Sequence, residues 1–256
     1  MQNSSMFKYF FKREILDKYK GNLTGITWVF IQPIIILLIY TLVFEKIFNT
    51  KFPEAENIGF IVYLAIGFWP WTAFSEAVLK SITVIVDKKD LIGKVKMDFK
   101  ISVYATVTAN FMLNIIGYII VLVVLIASGK EFNYSALPLL IFPILQLYFF
   151  ALALGLILSS IQIFIKDTLN LITTLMTLWF FMTPIIYSIS MMPDYLKNII
   201  KINPIYTPIS FIHTSLLTNK PLPWIDMIVL SIAIGILLWL GIKQFNRLAP
   251  KFSDYL

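Results

Sequence analysis

The sequence predicts an all-α integral membrane protein whose chain crosses a bilayer six times. Two features of the composition indicate a membrane protein: 59% of the 256 residues are hydrophobic and only 14% are charged, whereas a soluble domain carries about 25% charged residues. The third feature is a set of apolar runs, each long enough to cross ~30 Å of hydrocarbon as a helix of about 20 residues. The predicted spans are 24–44, 58–79, 101–127, 137–163, 169–189 and 224–242.

Helices are the predicted state of all these runs, because lipid offers the backbone no hydrogen-bond partner. A proline inside a helix removes one intrahelical hydrogen bond and predicts a kink. No internal repeat or low-complexity linker divides the sequence, so residues 1–256 are predicted to form a single transmembrane domain. The prolines that lie within predicted spans are Pro33, Pro70, Pro143 and Pro184.

Two further segments are too short to cross a bilayer. Residues 6–20 carry apolar side chains at helical spacing, interrupted by Glu14 and Lys18, and predict an interfacial amphipathic helix. Residues 191–217 contain Pro193, Pro204 and Pro208, which predict short external helices that lie at the interface or re-enter it. The apolar positions of the first segment are Phe7, Phe10, Phe11, Ile15 and Tyr19.

The distribution of basic residues predicts the orientation of the chain. An even number of spans places both termini on one side of the membrane. The termini and the loops on that side carry 15 Lys and Arg residues, and the other side carries 6. Basic residues are retained on the cytoplasmic side, so both termini and residues 86–100 are predicted to be cytoplasmic. The same rule explains the net charge of +7 without a nucleic-acid partner.

No pattern in the sequence indicates a catalytic site. The chain has no cysteine and a single histidine, His213, which the sequence gives no acidic or thiol neighbour and which we interpret as a packed or interfacial side chain. The glycine and lysine spacing of a phosphate-binding loop is absent, as is a metal-binding H-E-x-x-H motif. We therefore predict no enzyme activity, cofactor or metal in this chain. A membrane-embedded transferase would need an acid/base cluster, and none is visible.

Glu76 is an acidic residue inside a predicted span, and it has two interpretations. An intramembrane carboxylate often marks a proton or ion path, which would suit an ion-coupled secondary carrier. Lys80 lies four residues further along, near the predicted cytoplasmic interface. An ion pair with a lysine that extends towards water also explains the acid, and it is the interpretation we favour, although the carrier remains a hypothesis from a different class.

Aromatic residues are numerous, with 22 Phe, 12 Tyr and 6 Trp. Aromatic belts at the two interfaces account for many of them, but the segments FWPW (68–71) and WFF (179–181) lie in the middle of predicted spans. Aromatic rings can stack on the C–H faces of sugar rings, so these segments could line a glycan conduit; helix packing is the alternative. The candidate channel-lining residues are Trp69, Trp71, Phe180 and Tyr187.

Residues 86–100 mix charged and apolar side chains. Leu91, Ile92 and Val95 could form one face of a short helix. Such a surface suits docking to a soluble protein, while a charged loop that merely obeys the topology rule is the alternative. We expect an exposed rim of charges around the apolar face, formed by Lys88, Asp90 and Lys94.

Four segments resemble the permease subunits of type-2 ABC exporters. The most specific is FFMTPIIYSISMMPDYLKNIIKINPIY (180–206), which is similar to a Thr-Pro-Ile-x-Tyr and Asn-Pro signature. IFIKDTLNLI (163–172) resembles a conserved turn of that family, with Lys166 where arginine is usual. PWTAFSEAV (70–78) and GNLTGITWVFIQPIIILLIYTLVF (21–44) resemble the second and first spans. The most similar branch exports lipid-linked polysaccharides such as O-antigen and teichoic acid.

The resemblance implies a partnership that composition alone does not give. It implies a homodimer in a bacterial cytoplasmic membrane, with a channel for a lipid-linked glycan along the dimer interface. A separate ATPase subunit on each copy would bind ATP and magnesium. Residues 86–100 would form the coupling helix on that ATPase, with the turn at Lys166 and Asp167 nearby. Export of teichoic acid, a small lipid or a drug is the alternative within the same family.

Overall fold

The computed structural model describes residues 2–19, 25–47, 59–89, 98–129, 132–218 and 220–255. The predicted coupling residues Asp90, Leu91, Ile92, Lys94 and Val95 lie outside these ranges. Within them the chain forms α-helices and shorter helical turns, and it contains no strand. The α-helices are α1 (Gln2–Tyr19), α2 (Gly25–Thr41), α3 (Phe60–Ile82), α4 (Val84–Asp87), α5 (Lys100–Ala127), α6 (Ile141–Gln162), α7 (Thr168–Phe181), α8 (Asp194–Lys201), α9 (Tyr206–Leu217) and α10 (Trp224–Leu248).

The prediction of an all-α membrane protein is confirmed. Four helical segments in the described ranges are long and apolar enough to cross a membrane: α3, α5, Tyr134–Gln162 and Trp224–Asp254. Two shorter apolar helices are Ile34–Phe44, which covers the end of α2, and α7. The number of crossings therefore stays a prediction, with these two helices as the remaining candidates.

Helix α3 is the centre of the bundle. It packs against α2, α5, α6, α7 and α9, and 83% of the residues in its 18-residue apolar stretch are buried inside the protein. A helix that is apolar on all sides needs protein or lipid around it, and here most of that surrounding is protein. Two glycines allow close approach to neighbouring helices. A Cβ added at Gly67 would lie 2.8 Å from His213 Nε2 on α9, and one at Gly155 on α6 would lie 2.8 Å from Ser81 Oγ on α3.

Two predicted helix ends and one predicted proline kink differ from the structure. Helix α7 ends at Phe181, well before the predicted end at 189, because Pro184 disfavours helical backbone at the residue before it. Helix α10 continues to Leu248 rather than 242, since its last turns are polar and hydropathy reports only the apolar part. Pro143 lies in the first turn of α6, next to the 3-10 turn Tyr134–Leu140, and not in a helix interior.

Four segments meet at one end of the bundle, which we call the terminal end. Phe252, in the C-terminal turn Ala249–Asp254, contacts Phe99 and Phe164 with ring centroids 5.4 and 6.2 Å away. Phe10 of α1 packs on Ile101 of α5. The terminal end thus comprises α1, the start of α5, the turn 163–167 and residues 249–255. Helices α8 and α9 lie at the opposite end, where the Asn133 amide donates to the Leu216 carbonyl (2.8 Å).

Candidate functional site

A groove of about 360 Å³ opens between α2, α3 and α7. Its floor is a cluster of aromatic rings centred on Phe180. This ring stacks on Tyr40 (centroids 5.9 Å apart, planes at 16°) and meets Phe68 edge-on at 5.9 Å. Trp71 lies 5.9 Å from the same ring. Phe181 at the rim is 52% exposed, whereas Phe180 is 7% exposed. The aromatic rings are therefore buried at the floor of the groove and exposed at its rim.

Hydroxyl groups line the other part of the groove. Thr72 on α3 and Thr173 and Thr177 on α7 each donate to the backbone carbonyl four residues earlier, at 2.8–3.1 Å. Their donor hydrogens are therefore used within the helix, and their oxygens remain as acceptors. Ser75 and Glu76 complete the polar lining. The groove combines ring faces with hydrogen-bonding groups, which is the chemistry that a polyhydroxylated chain can use.

One exposed strip of α7, which we call its polar face, carries Asn and Thr side chains, and the exposed leucines Leu171, Leu175 and Leu178 lie beside it. Asn170, Thr173, Thr174 and Thr177 follow the helical spacing of one face, and all four are exposed. The exposed large side chains in the middle of α5 and α10 are apolar, as contact with lipid requires. They are Met112, Ile116, Ile119, Ile120, Val123 and Val124 on α5, and Ile228, Val229, Ile232 and Ile236 on α10. The polar face of α7 therefore suits protein or water better than lipid, unlike the leucines beside it.

The four candidate channel-lining residues separate into two pairs. Trp71 and Phe180 line the groove. Trp69 (1% exposed) does not border the groove, and all three residues lie in the main core, Trp71 at 5% and Phe180 at 7% exposed, which fits the helix-packing alternative for each of them. Tyr187 is half-buried outside the groove, where its hydroxyl donates to the Phe181 carbonyl at 2.9 Å. A role for any of these residues in a channel stays a prediction.

Lys88 is buried, contrary to the expectation that it is an exposed rim charge. Only 8% of the residue is exposed, and its ammonium group forms an ion pair and a hydrogen bond with Glu14 of α1. The same Nζ lies 3.3 Å from Thr106 Oγ1 on α5 and 5.3 Å from the centre of the Phe10 ring. Lys88 therefore fastens α1 to the bundle immediately before the predicted coupling residues.

The second predicted turn lies at the terminal end, with Lys166 and Asp167 both exposed. Gln162 holds this turn together from the end of α6. Its Nε2 donates to the Lys166 carbonyl (2.9 Å), and its Oε1 accepts from the Leu169 amide (3.0 Å). The turn is thus preformed by a side chain that the sequence pattern did not single out, and it presents Lys166 and Asp167 to solvent.

A buried polar seam on α5 also escaped the sequence analysis. Asn110 donates to the Thr106 carbonyl at 2.9 Å, and Asn114 donates to the Asn110 carbonyl at 3.0 Å. Asn114 Nδ2 also donates to Glu76 Oε2 at 3.1 Å. The carboxylate on which the ion-path interpretation rested is therefore bound from the α5 side. Two asparagines four residues apart in an apolar run were the available signal.

His213 is a packed side chain, as predicted. Its ring stacks on Tyr63 at 4.0 Å, and its Nε2 donates to the Tyr63 carbonyl at 3.0 Å. Burial lowers the pKa of His213 to about 4, so the ring is neutral at physiological pH. It borders a cavity of about 190 Å³ at the opposite end of the bundle. Across the described ranges, no three His, Cys, Asp or Glu side chains come together as metal ligands would.

Comparison with known proteins agrees with this architecture. The ABC-2 type transporter family model matches residues 5–217. The chain is 26% identical over 246 residues to the O-antigen export system permease protein RfbA of Myxococcus xanthus, covering 95% of this chain and 92% of that protein. It is 25% identical over 250 residues to a protein of the same name from Klebsiella pneumoniae, with the same coverage. This chain belongs to the ABC-2 type transporter family.

Proposed function

We propose that this chain is the membrane-spanning subunit of an ATP-driven exporter that moves a lipid-linked polysaccharide across the bacterial cytoplasmic membrane. A second copy of the chain and a pair of ATPase subunits would complete the complex. The observation that carries the proposal is the groove of aromatic rings and hydroxyl oxygens that continues onto the polar face of α7. The names of the similar proteins support a polysaccharide as the substrate.

The lining of the groove supports a glycan better than an apolar ligand. Phe181 at the rim and the half-buried Tyr40 offer ring surface on which sugar C–H groups stack, above the buried rings of Phe180 and Trp71. Thr173 and Thr177 offer acceptors for sugar hydroxyls. Neither kind of contact depends on one sugar sequence, so a long polymer could slide past them. A small lipid or drug would make little use of the hydroxyl oxygens.

The polar face of α7 supports a dimer with the conduit between its copies. Asn170 and Thr174 are exposed on a helix inside a membrane protein, and lipid is a poor neighbour for such groups. A second copy that faced this surface would enclose it, and the groove of each copy would form one wall of the path. The exposed apolar faces of α5 and α10 would remain in lipid.

The terminal end supports the site of coupling to the ATPase. It gathers α1, the residues that flank 90–97, and the exposed turn of Lys166 and Asp167. In this proposal both termini are cytoplasmic, and ATP with magnesium is bound by the partner subunit. Closure of the ATPase pair would push on residues 86–100 and shift the helices that line the groove. This chain would make and break no covalent bond.

Reconstitution tests the proposal directly. The chain and its cognate ATPase subunit are placed in vesicles with a polyprenyl-diphosphate-linked polysaccharide, and the polymer that crosses the bilayer is measured. We expect transport that requires ATP, and no ATP hydrolysis by this chain alone. Transport driven by an ion gradient without the ATPase would instead support the secondary carrier and refute the proposal.

A further inference from the structure

A cavity of about 580 Å³ lies at the opposite end of the bundle from the terminal end, between the segment that follows α8 and the first turns of α10. Its volume falls within the range of about 300–1,000 Å³ that is typical of small-molecule sites. Lys201 lines it from the end of α8, and Asp226 lines it from α10. We propose that this cavity binds a phospholipid with a primary-amine headgroup, such as phosphatidylethanolamine.

The two charged residues of the described lining have opposite signs, and both are available to a ligand. Within the described part of the chain, Lys197 pairs with Asp194 (2.8 Å), but neither Lys201 nor Asp226 forms an ion pair. Asp226 lies in the first turn of α10, where the helix dipole favours a negative charge. Lys201 can bind the phosphate of a zwitterionic headgroup while Asp226 binds its ammonium group. A polyprenyl diphosphate would offer no cation to Asp226.

The lining of the cavity becomes apolar along α10. Asp226, Val229 and Ala233 follow the helical spacing of one face, and the last lies about 10 Å from the first along the helix axis. Ile202, next to Lys201, also lines the cavity and is 82% exposed, so an apolar ligand would cover it. A headgroup bound by the two charges would therefore place its acyl chains against the apolar part of the lining.

Two neighbouring features indicate that the cavity lies at the level of lipid headgroups. Trp224 begins α10 and is exposed, as are the aromatic residues of an interfacial belt. Helix α8 exposes Tyr195 and Ile199, four residues apart on one face, which suits a helix that lies in the interface. A lipid is thus the amphiphile that surrounds this cavity.

Quenching by labelled lipids tests the proposal on the full chain in phosphatidylcholine vesicles. The chain has no cysteine, so Ala233→Cys gives a unique thiol for a bimane label in the cavity, and Ile236→Cys gives a control label on an exposed part of α10. Phosphatidylethanolamine or phosphatidylcholine with a nitroxide on its acyl chain is then added in increasing amounts. The two quenching curves give the affinity for the first lipid relative to the second at each label.

We expect phosphatidylethanolamine to bind about three- to fivefold more tightly than phosphatidylcholine at the cavity label, and equally at the control label. The preference arises because the trimethylammonium group of phosphatidylcholine has no N–H to donate to Asp226. Asp226→Ala should abolish the preference. Asp194→Ala, which removes an exposed acid of α8 outside the cavity, is the matched control and should leave it unchanged.

Lys201→Gln tests the phosphate contact separately. The comparison lipid is a nitroxide-labelled diacylglycerol, which lacks the phosphate. The variant should lower the preference for phosphatidylethanolamine over diacylglycerol about threefold, whereas Lys197→Gln, whose lysine does not line the cavity, should leave it unchanged.

Equal binding of phosphatidylethanolamine and phosphatidylcholine at the cavity label would overturn the proposal, as would equal effects of Asp226→Ala and Asp194→Ala. Stronger quenching by a nitroxide-labelled polyprenyl diphosphate would also overturn it, since the cavity would then hold a lipid of the exported class. None of these measurements involves transport, so they are independent of whether the chain exports a glycan.

Discussion

Replacing Lys88 with methionine should release α1 from the bundle. The Lys88 residue is 8% exposed, and the side chain of Glu14 is 18% exposed. Removing one partner of a buried ion pair leaves the other charge without compensation and costs about 3–5 kcal/mol. Because Glu14 retains some contact with water, we expect about 3 kcal/mol, the low end of that range. This corresponds to about a hundredfold larger population with α1 undocked.

Cysteine labelling measures this population. The chain has no cysteine, so Ala105→Cys introduces a unique thiol on α5, at a position that is 0% exposed and packed with Phe10 of α1. A water-soluble maleimide should label it about a hundredfold faster when Lys88→Met is also present. Lys12→Met, which alters an exposed lysine of the same helix, is the matched control and should leave the rate within about twofold.

A double substitution separates the charge effect from simple damage. Glu14→Leu together with Lys88→Met replaces the ion pair by an apolar pair, which is often neutral or stabilising. We expect the double variant to label within about threefold of the unaltered background. The reasoning is refuted if Lys88→Met labels no faster than the Lys12→Met control, since α1 would then be held by its apolar contacts alone.

Three other predictions concern packing, pH and the groove. Gly155→Ala should lower stability by about 1–3 kcal/mol, because the added Cβ would lie 2.8 Å from Ser81 Oγ. Gly235→Ala places its Cβ in open space and should not lower stability. Thermal unfolding in detergent compares the two variants, and equal losses of stability would contradict the packing argument. The pKa of His213 is about 4 when folded against 6.5 for the free group, so the unfolded chain binds the extra proton and stability should fall as pH drops from 6.5 towards 4, by up to about 1.4 kcal/mol per pH unit. His213→Gln should remove that component from melting curves at pH 5 and 7, and an unchanged difference would exclude this histidine. Trp71→Ala should lower export more than it lowers the amount of folded protein, whereas Trp69→Ala should lower both together; parallel losses in both variants would return Trp71 to a packing role.

Hydropathy was sufficient for the fold class and for the positions of most helices. The apolar runs at 58–79 and 101–127 correspond closely to α3 (Phe60–Ile82) and α5 (Lys100–Ala127), because lipid requires a helix wherever such a run crosses it. The end of α7 was not predicted well. Pro184 was expected to kink a longer helix. Instead, Thr183 Oγ1 donates to the Trp179 carbonyl (2.8 Å) and Asn203 Nδ2 donates to the Met182 carbonyl (3.3 Å), and these bonds stabilise the early end.

The facing of side chains on α3 could not be derived from the sequence. Trp69 and Trp71 are separated by about 200° around the helix, so only one of them can point into a groove on a given side. Because α3 is apolar on nearly every face, no periodicity showed which side met α7. Glu14, which interrupts the apolar stripe of α1, pairs with Lys88, which lies 74 residues away. The sequence pattern did not identify this partner.

The path of the glycan is the central claim, and photo-crosslinking tests it most directly. A benzophenone amino acid is placed at Phe181, on the rim of the groove, or at Ile228 on α10; the two positions are 52% and 54% exposed. During export of a radiolabelled polysaccharide, we expect the probe at Phe181 to capture the polymer only when ATP is present, and the probe at Ile228 to capture lipid. Capture of the polymer at Ile228, or continued export with none captured at Phe181, would contradict the account.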